Sequence, residues 1–268
     1  MLRVKLSVVY ALVLITVVTG LTGCSTTPED KTATMSPNAI YADAKDAVDA
    51  GQFDKAIPLY EKLEARAAGT PLAQQAQLDK AYAQYRSSEP AQAIATLDRF
   101  MKLHPASPAL DYALYLKGII NFNDDLGLFS AVSRQDLSER DQKASKEAFE
   151  SFKELVARFP KSRYTPDATQ RMNYIVSSLA QYEVHVARYY YKRGAYLAAV
   201  NRAQAAVADY RDVPALEEAL FILYKSYDAL GMNKLRDDAK RVLESSYPGS
   251  EFLTKGEKSK DEPWWKVW

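Results

Sequence analysis

The segment Gly194-Ala195-Tyr196-Leu197-Ala198-Ala199-Val200-Asn201-Arg202-Ala203-Gln204-Ala205-Ala206 decides the fold. A glycine opens it, and small residues then fall at Ala199, Ala203 and Ala206. Glycine suits a turn that needs a positive φ. Small residues three and four apart share a helix face and let a neighbouring helix approach closely. The same order recurs along the chain. Gly51-Gln52-Phe53 leads to Ala56-Ile57 and Tyr60, and Glu89-Pro90 leads to Ala93-Ile94, Leu97, Phe100 and His104-Pro105. Ala148-Phe149 leads to Phe152, Leu155 and Phe159-Pro160, and Gly231-Met232-Asn233 opens a last copy that closes at Tyr247-Pro248. The prolines sit where each helix must stop.

Aligned on the small residue, the copies fall at Ala56, Ala93, Ala148, Ala199 and Arg236. Two of these intervals lie near the tetratricopeptide length of about 34 residues, and the pattern matches the second helix of that unit. The other two are longer. One excess is Asn121 to Gln142, with Asp124-Asp125, Gly127 and Phe129, expected as a loop or irregular insertion. The other lies in Asp167 to Arg193, which reads as one unusually long helix or two joined ones. The Ala144 to Phe159 stretch puts Ala148, Phe149, Phe152, Leu155, Val156 and Phe159 on one face. The expectation is an all-α chain, an α-solenoid of about five tetratricopeptide-like helix pairs over residues 38–250. Such stacks leave an extended surface that binds peptides or proteins.

Upstream, Arg3 and Lys5 precede eighteen uncharged residues, Leu6 to Gly23, and Leu21-Thr22-Gly23 then runs into Cys24, the only cysteine. This is the layout of a secretory signal. The tetrapeptide resembles the lipobox of bacterial lipoproteins, which implies cleavage of residues 1–23 and a diacylglycerol thioether and N-acyl group on Cys24. The product is anchored by lipid and does not span the membrane. An uncleaved helix is the competing reading, because about 18 residues reach the length of a span. Ser7, Thr16, Thr19, Gly20 and Thr22 dilute that stretch. Ser25 to Pro37 is polar and aperiodic and is expected, with Cys24, to tether the body near the membrane.

The formal net charge of the whole chain is +1, and loss of Arg3 and Lys5 with the signal turns it to about −1. That balance does not fit nucleic acid, which needs a clustered positive surface. No second cysteine exists to form a disulfide, and a domain of this size buries enough apolar surface without one. The two histidines, His104 and His185, form no metal-ligand pair, and no nucleophile elbow or phosphate-binding glycine loop occurs. No enzyme activity, metal or cofactor is expected. Asp124-Asp125 beside a glycine reads as a turn with solvated acids.

Lipobox, tether and five degenerate repeats together resemble the BamD family, tetratricopeptide lipoproteins of the bacterial outer-membrane β-barrel assembly machinery. Residues carrying the resemblance include Asn38-Ala39-Ile40-Tyr41, Leu97-Asp98-Arg99-Phe100, Tyr115-Leu116-Lys117-Gly118, Phe159-Pro160-Lys161-Ser162, Arg193-Gly194-Ala195-Tyr196 and Val200-Asn201-Arg202. The resemblance covers nearly the whole chain. It implies a non-enzymatic scaffold that promotes folding and insertion of β-barrel proteins. Its amino-terminal units would receive unfolded outer-membrane protein segments, and its carboxy-terminal units would dock on the periplasmic domains of BamA beside other lipoproteins of the complex. Arg202 matches the family's BamA-facing arginine, whose planar fork suits a carboxylate. Ser25 after the cysteine implies the periplasmic face of the outer membrane. A periplasmic tetratricopeptide adaptor for cell-wall synthesis or the Tol system is the alternative. The family offers no role for the 251–268 tail, which holds all three tryptophans, Trp264, Trp265 and Trp268. Tryptophan favours interfaces with proteins and membranes. The tail therefore docks on a partner or on headgroups, or it folds back on the last helix pair.

Overall fold

The computed structural model describes residues 32–122 and 142–255. Within them lie eleven helices: α1 (Pro37–Asp49), α2 (Phe53–Arg66), α3 (Pro71–Arg86), α4 (Pro90–Leu103), α5 (Leu110–Phe122), α6 (Gln142–Arg158), α7 (Thr165–Lys192), α8 (Tyr196–Asp209), α9 (Ala215–Ala229), α10 (Asn233–Ser246) and α11 (Glu251–Lys255). No strand occurs among the described residues. The first ten helices form five consecutive pairs, each packed mainly on its neighbours in sequence. The core is accordingly a string of local clusters. One joins α1, α2 and α3, the next α3, α4 and α5, the third α5, α6 and α7, and the last runs from the end of α7 to α11. That nearest-neighbour arrangement is the physics of a solenoid. Cys24, most of the expected insertion (residues 123–141) and Trp264, Trp265 and Trp268 lie outside the described residues.

The turns inside four pairs share one geometry. Gly51, Ser88, Gly194 and Gly231 take φ of 71°, 66°, 74° and 70°. The next residue donates its N–H five residues back, as in Gln52 to Ala47 O (2.8 Å), Glu89 to Gln84 O (2.8 Å), Ala195 to Tyr190 O (3.0 Å) and Met232 to Tyr227 O (2.9 Å). This is the Schellman closure of a helix end. In the second pair a serine holds the left-handed position, which the spacing of glycines alone does not reveal.

The stops between pairs also repeat. His104-Pro105-Ala106-Ser107, Phe159-Pro160-Lys161-Ser162 and Tyr247-Pro248-Gly249-Ser250 each close with the serine N–H on the carbonyl of the first residue, at 3.0, 2.9 and 3.0 Å. Between α5 and α6 a glycine permits close approach. Gly118 lies against the Phe152 ring, so that a Cβ there would sit 2.4 Å from a ring carbon.

The stretch expected as one long helix or two is a single helix, α7, of 28 residues. Pro166 begins it, and no further proline or glycine interrupts it until Gly194. The aligned small position of the last copy holds Arg236, which reaches Asp228 and Asp237 at 3.3 and 2.8 Å. In that helix Ala239 and Leu243 supply the buried contacts instead. Pro37, expected to end the tether, is the first residue of α1, with the Ser36 hydroxyl accepting from the Ala39 N–H at 3.2 Å. The preceding turn is held to α2, where the Arg66 guanidinium donates to the Thr32 and Ala33 carbonyls. At the other end, residues 251–255, expected within the tail, form α11. Its Phe252 is buried and stacks on Phe221 of α9 at 5.3 Å.

Candidate protein-binding groove

At the amino-terminal end of the solenoid is a groove of about 500 Å³ between α1, α2, α3 and α5, bordered by Lys45, Phe53, Tyr60, Asp79, Arg86 and Tyr112. Asp79 is its centre. The Tyr41 hydroxyl on α1 donates to Asp79 Oδ2 at 3.0 Å, and Gln75 Nε2, one turn earlier on α3, donates to Oδ1 at 2.9 Å. Burial pushes the Asp79 carboxyl above its usual range despite these donors. Burial, then the Asp79 charge, push the Tyr41 phenol up to about 12. The same causes raise Tyr60 and Tyr112, so all three hydroxyls stay protonated at neutral pH. Arg86 closes one side, with its guanidinium 4.9 Å from the Phe53 ring centre and 2.7 Å from the Tyr82 hydroxyl. Apolar ring faces with a few fixed donors and acceptors suit an extended peptide, whose side chains and backbone need both.

The lining continues along α5 and α7. The Tyr115 hydroxyl donates to Asp167 at 2.8 Å, Arg171 Nε donates to the same carboxylate at 2.7 Å, and the Arg171 guanidinium lies 5.1 Å from the Phe122 ring centre. Tyr174 beside it is half exposed. Further on, Arg188 of α7 grips Glu218 of α9 bidentately and joins the last two pairs.

Arg202 lies on α8, on another side of the body. Its Nη1 donates to Glu183 Oε2 of α7 at 3.1 Å, with the arginine side chain 45% exposed and the glutamate 13%. The pair holds the guanidinium in place and leaves part of its fork facing solvent. Arg202 and the Asp79 groove are therefore separate features. Sequence reasoning singled out Arg202 and missed the groove. Its signal was present: Gln75, Asp79, Tyr82 and Arg86 recur at helical spacing along α3. Tyr41, however, lies 38 residues away, and only stacking brings it to Asp79.

Among the described residues no group of His, Cys, Asp and Glu could hold a metal, and no helix is long and apolar enough to cross a membrane. His104 packs its ring 5.2 Å from Phe100.

Stacked helix pairs with recurrent Schellman turns and proline stops define a tetratricopeptide-type solenoid. The model of the family "YfiO: Outer membrane lipoprotein" matches residues 33–243, and the chain belongs to that family. It is 46% identical to the outer membrane protein assembly factor BamD of Neisseria meningitidis serogroup B (strain ATCC BAA-335 / MC58), over 88% of this chain and 89% of the relative. Identity to the protein of the same name from Neisseria gonorrhoeae is 44%, over 96% and 98%. Identity to that from Vibrio cholerae serotype O1 is 33%, over 84% and 92%. Among solved structures, TPR-like repeats of a Podosopora anserina kinesin light chain match at 17% identity, covering 83% of this chain and all of that one, with a TM-score of 0.34.

Proposed function

We propose that this chain is a lipid-anchored, non-enzymatic scaffold that promotes folding and insertion of β-barrel proteins into the outer membrane. The observation that carries the reading is the Asp79 groove in a chain whose relatives are named assembly factors. In this reading the groove and its continuation along α5 and α7 receive an unfolded outer-membrane protein segment. Tyr41 and Gln75 hold Asp79 as a fixed acceptor for peptide N–H groups, and the rings of Phe53, Tyr60 and Tyr112 contact apolar side chains. Arg202 faces a carboxylate on the periplasmic domains of BamA. Glu183 keeps the guanidinium oriented until that contact forms, and the remaining N–H groups of the fork are free to make it. Other lipoproteins of the complex bind along the body. Lipid on Cys24 places the groove at the periplasmic face of the outer membrane.

Purification of the full chain in mild detergent tests this. The expected result is co-recovery of a large β-barrel with repeated periplasmic domains, with recovery reduced at least tenfold by Arg202→Glu, since a like charge replaces an attraction. Recovery of cell-wall synthases without such a barrel would overturn the assignment. A Cys24→Ser chain that stayed on membranes without partners would remove the lipid anchor from it.

A further inference from the structure

The second helices of the five pairs, α2, α4, α6, α8 and α10, align through their turns and stops. Two outward positions on them read Lys55 and Lys62, Gln92 and Arg99, Glu147 and Glu154, Ala198 and Ala205, and finally Leu235 and Val242. Only α10 carries large apolar residues there, 46% and 42% exposed. The clefts between successive second helices follow the same division. Between α2 and α4 the cleft is closed by charge: Arg99 meets Glu64 at 2.6 Å, and Lys80 and Gln77 reach the same carboxylate at 3.0 and 2.9 Å. Between α4 and α6 it is lined by lysines and glutamates together with Ile94, Met101 and Leu114, with Lys117 on Asp98 at 2.6 Å. Between α8, α9 and α10 it is a largely apolar cleft of about 600 Å³, lined by Val207, Leu216, Leu220 and Val242 with the rings of Tyr210 and Tyr247, beside Arg211, Asp212 and Ser246.

The face of α10 that a sixth pair would cover is polar. Arg236 and Lys240 stand where the other second helices carry Ala56 and Tyr60, Ala93 and Leu97, Ala148 and Phe152, and Ala199 and Ala203. A polar outer face ends a solenoid. The apolar cleft beside it is therefore not a remnant of continued stacking.

We propose that this cleft is the docking site for the chain's own Pro263–Trp268 segment. Tyr247 lines the cleft, and the chain then passes through α11, which Phe252 pins to α9. From Lys255 only eight residues, Gly256 to Pro263, precede Trp264. Extended, they span up to about 26 Å, while a 14-residue helix such as α10 is about 21 Å long. That span exceeds the length of the helix that borders the cleft. A tether this short gives a millimolar-range effective concentration, which favours the attached segment over a free competitor. Three indoles within five residues match an apolar cleft better than any other segment of this sequence. The tryptophan tail then completes the carboxy-terminal end of the scaffold, in a role apart from the Asp79 groove and Arg202.

All three tryptophans lie in this segment, so intrinsic tryptophan emission of the intact chain reports on it alone. The lipid-free chain from residue 24 should emit at shorter wavelength than N-acetyltryptophanamide and resist acrylamide quenching several-fold, independently of protein concentration. Val242→Lys, at a half-exposed position, should shift the emission to that of free indole with unchanged helicity. Leu197→Lys, exposed on α8 outside the cleft, should not. Emission of a fully hydrated indole in the intact chain overturns the proposal. So does a blue shift that survives Val242→Lys, one that grows with protein concentration, or one that arises only on adding anionic phospholipid vesicles.

Discussion

Replacing Gly118 by alanine tests the packing at the centre of the solenoid, because two effects of opposite sign compete there. Alanine in a helix interior is favoured over glycine by about 1 kcal/mol. At Gly118 the new Cβ would stand 2.4, 2.6 and 2.7 Å from three carbons of the Phe152 ring. Ordinary carbon contacts lie at about 3.5–4.0 Å, so the ring must retreat by roughly 1 Å. It has nowhere to go. Phe152 is fully buried, and the rings of Tyr115 and Phe122 stand 6.2 and 6.4 Å from its centre. Overpacking of this kind costs about 1–3 kcal/mol, and the closeness of the contact places this case at the upper end. The net loss is therefore about 2 kcal/mol, or a fall in Tm of about 4–8 °C for a domain of this size. Thermal melts followed by circular dichroism read it directly. A cycle with Phe152→Leu separates the causes, because removing the ring should recover at least about 1 kcal/mol of the alanine penalty as coupling. A Gly118→Ala chain as stable as the parent, or additive behaviour in the cycle, would refute the reasoning.

Two further outcomes follow from local geometry and charge. Ser88 holds φ 66° at the position where three other pairs use glycine, so Ser88→Gly should raise stability by about 0.5–1 kcal/mol in urea titration. A loss would mean that the serine side chain contributes more than its backbone conformation costs. Asp79 has a folded-state pKa raised by burial, so the folded chain binds its proton at higher pH than the unfolded chain does. Its ionisation is thus a cost at neutral pH. Relative to Asp79→Asn, the parent should gain stability as pH falls through the raised value, and the difference should level off below the unfolded value of about 3.9. Urea titrations between pH 7 and 3.5 would show it, and a difference that widens against the parent on acidification contradicts the assignment.

Much of the architecture is legible in short-range pattern. Ala56, Ala93, Ala148 and Ala199 mark second helices because small residues at helical spacing permit close approach, and all four are fully buried. Gly51, Gly194 and Gly231 mark turns because a positive φ is cheap only there, and each adopts one. Ser88 escapes the same reading, since its hydrogen bonds, rather than its residue type, hold it left-handed. The length of α7 was open from sequence. An uninterrupted apolar pattern does not say whether a helix bends or continues until both of its ends are packed.

The site divides in the same way. Arg202 is visible in sequence through its repeat position, yet its ion pair with Glu183 depends on how α7 lies against α8. The Asp79 groove needs α1, α3 and α5 stacked before Tyr41 and Tyr112 reach one carboxylate environment. What the sequence by itself determined was the repeat, its turns and its stops. Each is a matter of a few consecutive residues and the backbone angles they allow. The tertiary structure alone decided which polar groups meet, which cleft is largely apolar and where a Cβ meets a neighbouring ring. Those depend on contacts between residues dozens of positions apart, and only the stacking of one pair on the next brings them together.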